Sequence, residues 1–93
     1  MIIENRRAID RFLAKHADAR VSFGEWNEKV EAAQWTNLVD LRKTFNSADS
    51  VKGLVVFNVG GNNCRVVAEV VYTERIARIA KIGTHAEYDE WRL

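Results

Sequence analysis

Apolar residues recur with two different periods along the chain, and the change falls near residue 53. Met1, Ile2 and Ile3 make a short apolar run that reads as a first strand. Ile9, Phe12, Leu13 and His16 then share one face at helical spacing, with Arg6, Arg7, Asp10, Arg11 and Lys15 largely off it. This spacing predicts a helix over 5–16. Phe23, Trp26, Val30 and Ala33 follow at i, i+3, i+7 and i+10, while Glu25, Glu28, Lys29 and Glu31 point away. They predict a second helix over 19–34, joined to the first by about two residues and so folded back on it as an antiparallel hairpin. Asn37, with Asp40 three positions on, resembles a helix start, and Leu38, Leu41 and Phe45 share a side. A short third helix over 38–45 is expected, then a loop over 46–53.

Beyond residue 53 the chain reads as strands. Leu54 to Val59 is a nearly continuous apolar run of strand length. Gly60-Gly61 supplies the positive φ of a tight turn. Residues 64–72 are the most strand-like stretch, Thr73-Glu74 is a second turn, and 76–82 form the next strand. Thr84 and Glu87 form a capping box that opens a final helix to about Trp91. Helices followed by a β-meander indicate an α+β fold, a single domain over 1–93. The helical hairpin should cover one face of a mostly antiparallel sheet, leaving the other face free for a site.

Composition narrows the function without naming it. Hydrophobic residues are 47% and charged residues 29%, which argues against disorder. One cysteine, Cys64, excludes an internal disulfide, and no Cys/His set has structural-zinc spacing. No apolar run approaches the ~20 residues of a membrane span, and the first residues lack the pattern of a signal peptide. A cytoplasmic location is the expectation. Fourteen Lys/Arg against thirteen Asp/Glu leave a net charge of +1, so a nucleic-acid role must come from where the charges sit.

His85 stands in the first turn of the last helix, where the dipole favours the neutral ring that a general base needs. Tyr88 and Asp89 lie three and four positions on, on the same face. In the central strand Arg65, Val67, Glu69 and Val71 alternate with Val66, Ala68, Val70 and Tyr72. The second set should meet the helices, which places Arg65 and Glu69 on the open face. A surface histidine and an Arg65–Glu69 pair are the purely structural alternatives. Arg6, Arg7, Arg11 and Lys15 form the densest basic face, either a solvated helix side or a surface for RNA phosphates. His16 reads as a packing residue, Cys64 as a small strand residue, and Trp26, Trp35 and Trp91 as core or partner contacts.

Three blocks in order, Phe57-Asn58-Val59-Gly60-Gly61-Asn62, Arg65-Val66-Val67-Ala68 and Thr84-His85-x-Glu87-Tyr88-Asp89, resemble the HigB toxins, a branch of the RelE-like mRNA interferases. The resemblance covers roughly residues 53–90. It implies a RelE-like fold and a ribosome-dependent endoribonuclease that cuts messenger RNA without metal or cofactor. It also implies a HigA-type helix-turn-helix antitoxin as partner, besides ribosome and mRNA. In that setting His85 is the candidate acid/base, Arg65 the charge stabiliser, Tyr88 a positioning group and Lys81 a second cation. Asn58, Arg6, Arg7 and Arg11 are candidate RNA contacts. Several RelE relatives carry lysines on the strand that here reads Val55 to Val59, where this chain offers Asn58, so proton transfer must rest more heavily on His85 or be slower. The near-neutral charge then requires segregation, with Arg6, Arg7, Arg11, Arg65 and Lys81 on one side and Glu25, Glu28 and Glu31 elsewhere. A non-catalytic binder on the same scaffold, such as the ParE-type toxins, is the alternative.

Overall fold

The computed structural model describes residues 1–91. In chain order it has β1 (Ile2–Glu4), α1 (Arg7–Lys15), a 3-10 turn (Ala17–Ala19), α2 (Arg20–Ala32), α3 (Leu38–Thr44) and β2 (Asp49–Val51). There follow β3 (Leu54–Val59), β4 (Cys64–Val71), β5 (Ile76–Thr84) and α4 (His85–Glu90). Both helical stripes are buried as their spacing requires: Ile9, Phe12 and Leu13 from α1, and Phe23, Trp26 and Val30 from α2. Their rings interlock with the sheet, Phe12 against Phe23 at 5.5 Å and Trp26 edge-on to Phe57 at 5.4 Å. His16 stacks on Phe12 at 4.3 Å, a packing role. α2 stops two residues before the predicted end because Ala33 turns extended. The terminal amino group of Met1 donates there to the carbonyls of Val30, Glu31 and Ala33 at 2.9–3.0 Å, serving acceptors that a helix end leaves unpaired.

The sheet has five strands in the order β1-β5-β4-β3-β2. β1 runs parallel to β5, and every other pairing is antiparallel. The expected loop over 46–53 is therefore wrong in its centre, where β2 pairs with β3 as an edge strand. Asp-Ser-Val carries no apolar alternation, so pattern could not find it; the ladder holds it through backbone. The connecting Lys52-Gly53 turn has both φ values positive, at 52° and 82°, and its glycine is the one local mark of the hairpin.

β5 departs from strict alternation. Val67 opposes Lys81 and Ala68 opposes Ile79, so Ala80 is the extra residue of a bulge. The bulge lets Ile79 and Ile82 both face the helical hairpin and turns Lys81 and Gly83 to the other side. That other side is not open, contrary to expectation. α4 folds back across β4 and β5, and Val67 and Val56 are buried although neither belongs to the hairpin core. The Trp91 indole rests directly on Gly83, where a Cβ would lie 2.6 Å from the ring.

Candidate functional site

The register of three strands creates the site. Asn58 opposes Arg65, and Arg65 opposes Gly83, so these positions share one line across the sheet. Gly60 and Gly61, at φ 66° and 68°, reverse the chain so that Asn62 and Asn63 lie beside the start of β4. At the far end of β5, Thr84 accepts from the Glu87 backbone and Glu87 accepts from the Thr84 backbone, closing the capping box. This box fixes the direction in which α4 leaves the strand, and the His85 backbone N–H then meets the Asn63 carbonyl at 2.8 Å. Residues some twenty positions apart are thereby drawn together.

Arg65 is the chain's buried charged residue among those described, only 7% exposed. Its Nη1 donates to the carbonyls of Asn62 and Cys64, both at 3.1 Å. Its Nη2 donates to Asn62 Oδ1 at 2.6 Å and to His85 Nδ1 at 2.7 Å. A guanidinium has no acceptor to offer, so Nδ1 is the accepting nitrogen and the neutral ring carries its proton on Nε2. Nε2 lies on the solvent side, 3.5 Å from Asp89 Oδ2. The Tyr88 ring packs beside Arg65, 5.7 Å from Cζ, and touches Trp91 edge-on at 5.8 Å. Lys81 Nζ stands 5.3 Å from the Trp91 ring, so cations and aromatic rings alternate across this face.

Arg65, His85 and Tyr88 are thus brought into one cluster, and Lys81 joins it only through Trp91. The Arg65–Glu69 pair does not form. Glu69 instead meets Arg78 at 2.5 Å, and Arg78 also holds Glu4 at 2.8 Å, tying β4, β5 and β1 together. Nor is Arg65 exposed on a bare sheet; its fork is spent on the β3–β4 turn and His85. Asn58, besides opposing Arg65, lines a cavity of about 390 Å³ with Ser22, Trp26 and Gly60.

The basic residues do not segregate as expected. Arg6 reaches the α2 end and pairs with Glu31 at 3.0 Å, one of the acids that should have lain elsewhere. Arg7 is exposed at the start of α1, and its carbonyl accepts from Arg11 Nε at 3.4 Å. Arg11 lines a groove of about 580 Å³ with Lys15, His16, Lys81 and Glu87. The groove follows the stretch of β5 beyond β1, whose pairing ends at Arg78. Glu87 sits at its end, its carboxyl held below the ordinary 4.5 chiefly by the Thr84 backbone N–H, with smaller help from His16 and Lys15.

Cys64 is buried, and burial above all, with Asp18 nearby, pushes its thiol up, so it offers no ready thiolate. Among the described residues no three His, Cys, Asp or Glu side chains group as a metal site requires. Among them, too, no helix is long and apolar enough to cross a membrane. Sequence reasoning gave Asn62 no role at the site, naming it only as the end of the Phe57–Asn62 block. Its signal was an Asn three residues before an arginine, directly after a Gly-Gly reversal.

A helical hairpin on one face of a mostly antiparallel sheet, with the short helix α4 on the other, is the architecture of a RelE-like domain. The HigB toxin model, described as the RelE-like toxic component of a toxin–antitoxin system, matches residues 19–91. The chain belongs to that family. Curated relatives agree over a shorter region. The mRNA interferase toxin HigB of Escherichia coli K12 is 46% identical over 52 residues, which is 53% of this chain and 50% of the relative. The mRNA interferase HigB proteins of Escherichia coli O157:H7 and Shigella flexneri match to the same extent. The aligned region thus spans about half the length of these relatives.

Proposed function

We propose that this chain is an mRNA interferase, a ribosome-dependent endoribonuclease that acts in the cytoplasm and is neutralised by a HigA-type antitoxin. The observation that carries the reading is the 2.7 Å contact between Arg65 Nη2 and His85 Nδ1, inside a HigB-family domain. RNA carries its own nucleophile. The 2′-OH attacks the adjacent phosphorus, the 5′-oxygen leaves, and the products end in a 2′,3′-cyclic phosphate and a 5′-OH. The enzyme has three tasks, to take one proton, return one and hold the extra negative charge, and none of them calls for a metal.

The resting geometry suggests an order of events. A phosphate is a stronger acceptor for guanidinium than a neutral imidazole. An arriving phosphate draws Nη2 to itself and releases the lone pair of His85 Nδ1. The ring is then able to accept the 2′-OH proton and to give one to the leaving oxygen. Arg65 stabilises the pentavalent charge and Tyr88 positions the phosphate. Arg11 and Lys81, which line one groove, are the cations that would follow the RNA strand, with Arg7 and Asn58 as outer contacts. Arg6, already paired with Glu31, adds least.

A non-catalytic binding toxin is the competing reading. It draws on the burial of Arg65 and the engagement of both its terminal nitrogens. Primer extension on messages from expressing cells separates the two. New 5′ ends, lost when translation is blocked and lost in His85→Ala, are the expected result. Growth arrest without new ends would leave the binder.

A further inference from the structure

The turn between β3 and β4 does more than reverse the chain. Three of its acceptors serve the site: Asn62 O and Asn62 Oδ1 hold Arg65, and Asn63 O holds the His85 backbone. The shortest of these contacts is the side-chain one, at 2.6 Å. Because guanidinium only donates, the oxygen of the Asn62 amide must face Arg65 and its nitrogen must face away. Nη2 is therefore shared between two acceptors, one from the turn and one from α4. Backbone carbonyls fix Nη1 whatever residue stands at 62, but besides the imidazole itself only the Asn62 side chain holds Nη2.

We propose that Asn62 is a positioning residue, which sets the guanidinium plane so that Arg65 meets His85 at Nδ1 and holds the imidazole in its Nε2–H form. The part concerning catalysis rests on the RNA-cleavage reading above. Asn62 is exposed and its φ is not positive, so a substitution there strains neither backbone nor core. Without the amide oxygen, Nη2 keeps the imidazole as its one remaining acceptor, the rigid guanidinium can tilt about the held Nη1, and the contact that selects the tautomer is weakened. Misplacement on this scale costs up to about a hundredfold in rate while leaving the binding surface intact.

The test uses the 93-residue chain with Asn62→Ala and Asn62→Asp, because a carboxylate at 62 still accepts from Nη2. Nitrogen-15 spectra of the free protein report the His85 tautomer, and cleavage of a short RNA on purified ribosomes reports kcat and KM. Asn62→Ala should lose the Nε2–H preference and lower kcat with KM little changed; Asn62→Asp should restore both. An unchanged tautomer in Asn62→Ala, or equal loss in both variants, would overturn the assignment. If the parent leaves RNA intact while the tautomer still follows residue 62, the positioning role stands and the cleavage reading falls.

Discussion

The two faces of one sheet are built on opposite principles. Towards the hairpin, β3 and β4 present Val55, Phe57, Val59, Cys64, Val66 and Ala68, all buried among Phe23, Trp26 and Leu41. Towards α4 the same strands present Val56, Val67 and a buried arginine. The hairpin face is held by apolar area and interlocked rings, which tolerate small displacements at a graded cost. The α4 face is held by donors and acceptors, where a displacement either keeps a hydrogen bond or loses it. A chain of this length can thus concentrate apolar packing on one side and hydrogen-bonded polar groups on the other.

The sharpest way to break that comparison is to damage each face separately. Phe57→Ala should cost about 3–5 kcal/mol and unfold much of the population, as a thermal melt would record. His85→Ala or Arg65→Ala should each abolish growth arrest, a loss of about a hundredfold or more in cleavage, while the melt shifts far less. Two variants as toxic as the parent would remove the site assignment. Next in size, ribosome or RNA binding should weaken steeply with added salt, and Lys81→Ala with Arg11→Ala should flatten the slope by about one unit each. Arg6→Ala, already compensated by Glu31, should leave the slope nearly unchanged.

Smaller effects sharpen the contrast within α4. Thr84→Ala removes the cap and should cost about 1 kcal/mol in the melt, with a larger relative loss of activity because His85 shifts with the helix start. Acid acts through the same box. The Glu87 carboxyl is lower in the folded chain than its ordinary 4.5, so its stabilisation is full above that value and fades as the pH falls through the folded one. The Tm gap between parent and Glu87→Ala should be constant from neutrality to about pH 5 and shrink in stronger acid.

Much of the fold was legible because its period is strong. The α1 and α2 stripes, the apolar run of β3 and the Thr84–Glu87 box all declare themselves locally. β2 did not, since an edge strand of three residues needs no side-chain pattern. The cover over this face was equally hidden, because Trp91 meets Gly83 and Tyr88 meets Arg65 through space. Strict alternation also misleads along β5, where the bulge at Ala80 rephases the strand. At the site, Arg65, His85 and Tyr88 were readable as residue types in order, but the partners of Arg65 were not. Glu69 shared its face by alternation and was the obvious partner, whereas the turn supplies a closer acceptor and Arg78 claims the glutamate. The fate of Arg6 depended on where α2 ends, which no motif records.

The pairing of β1 with β5 has a consequence for how the chain matures. Ile2 aligns with Ile76, so the opening strand finds its neighbour only after nearly all the intervening sequence has been made. Contacts of such separation close slowly, since a long loop must be ordered before they form. A nascent chain emerging from the tunnel can coil its first helices early, yet it has no sheet to lay them on. Arg65 and His85 likewise meet only once α4 has been translated. The sheet and the Arg65–His85 contact therefore both close through partners distant in sequence.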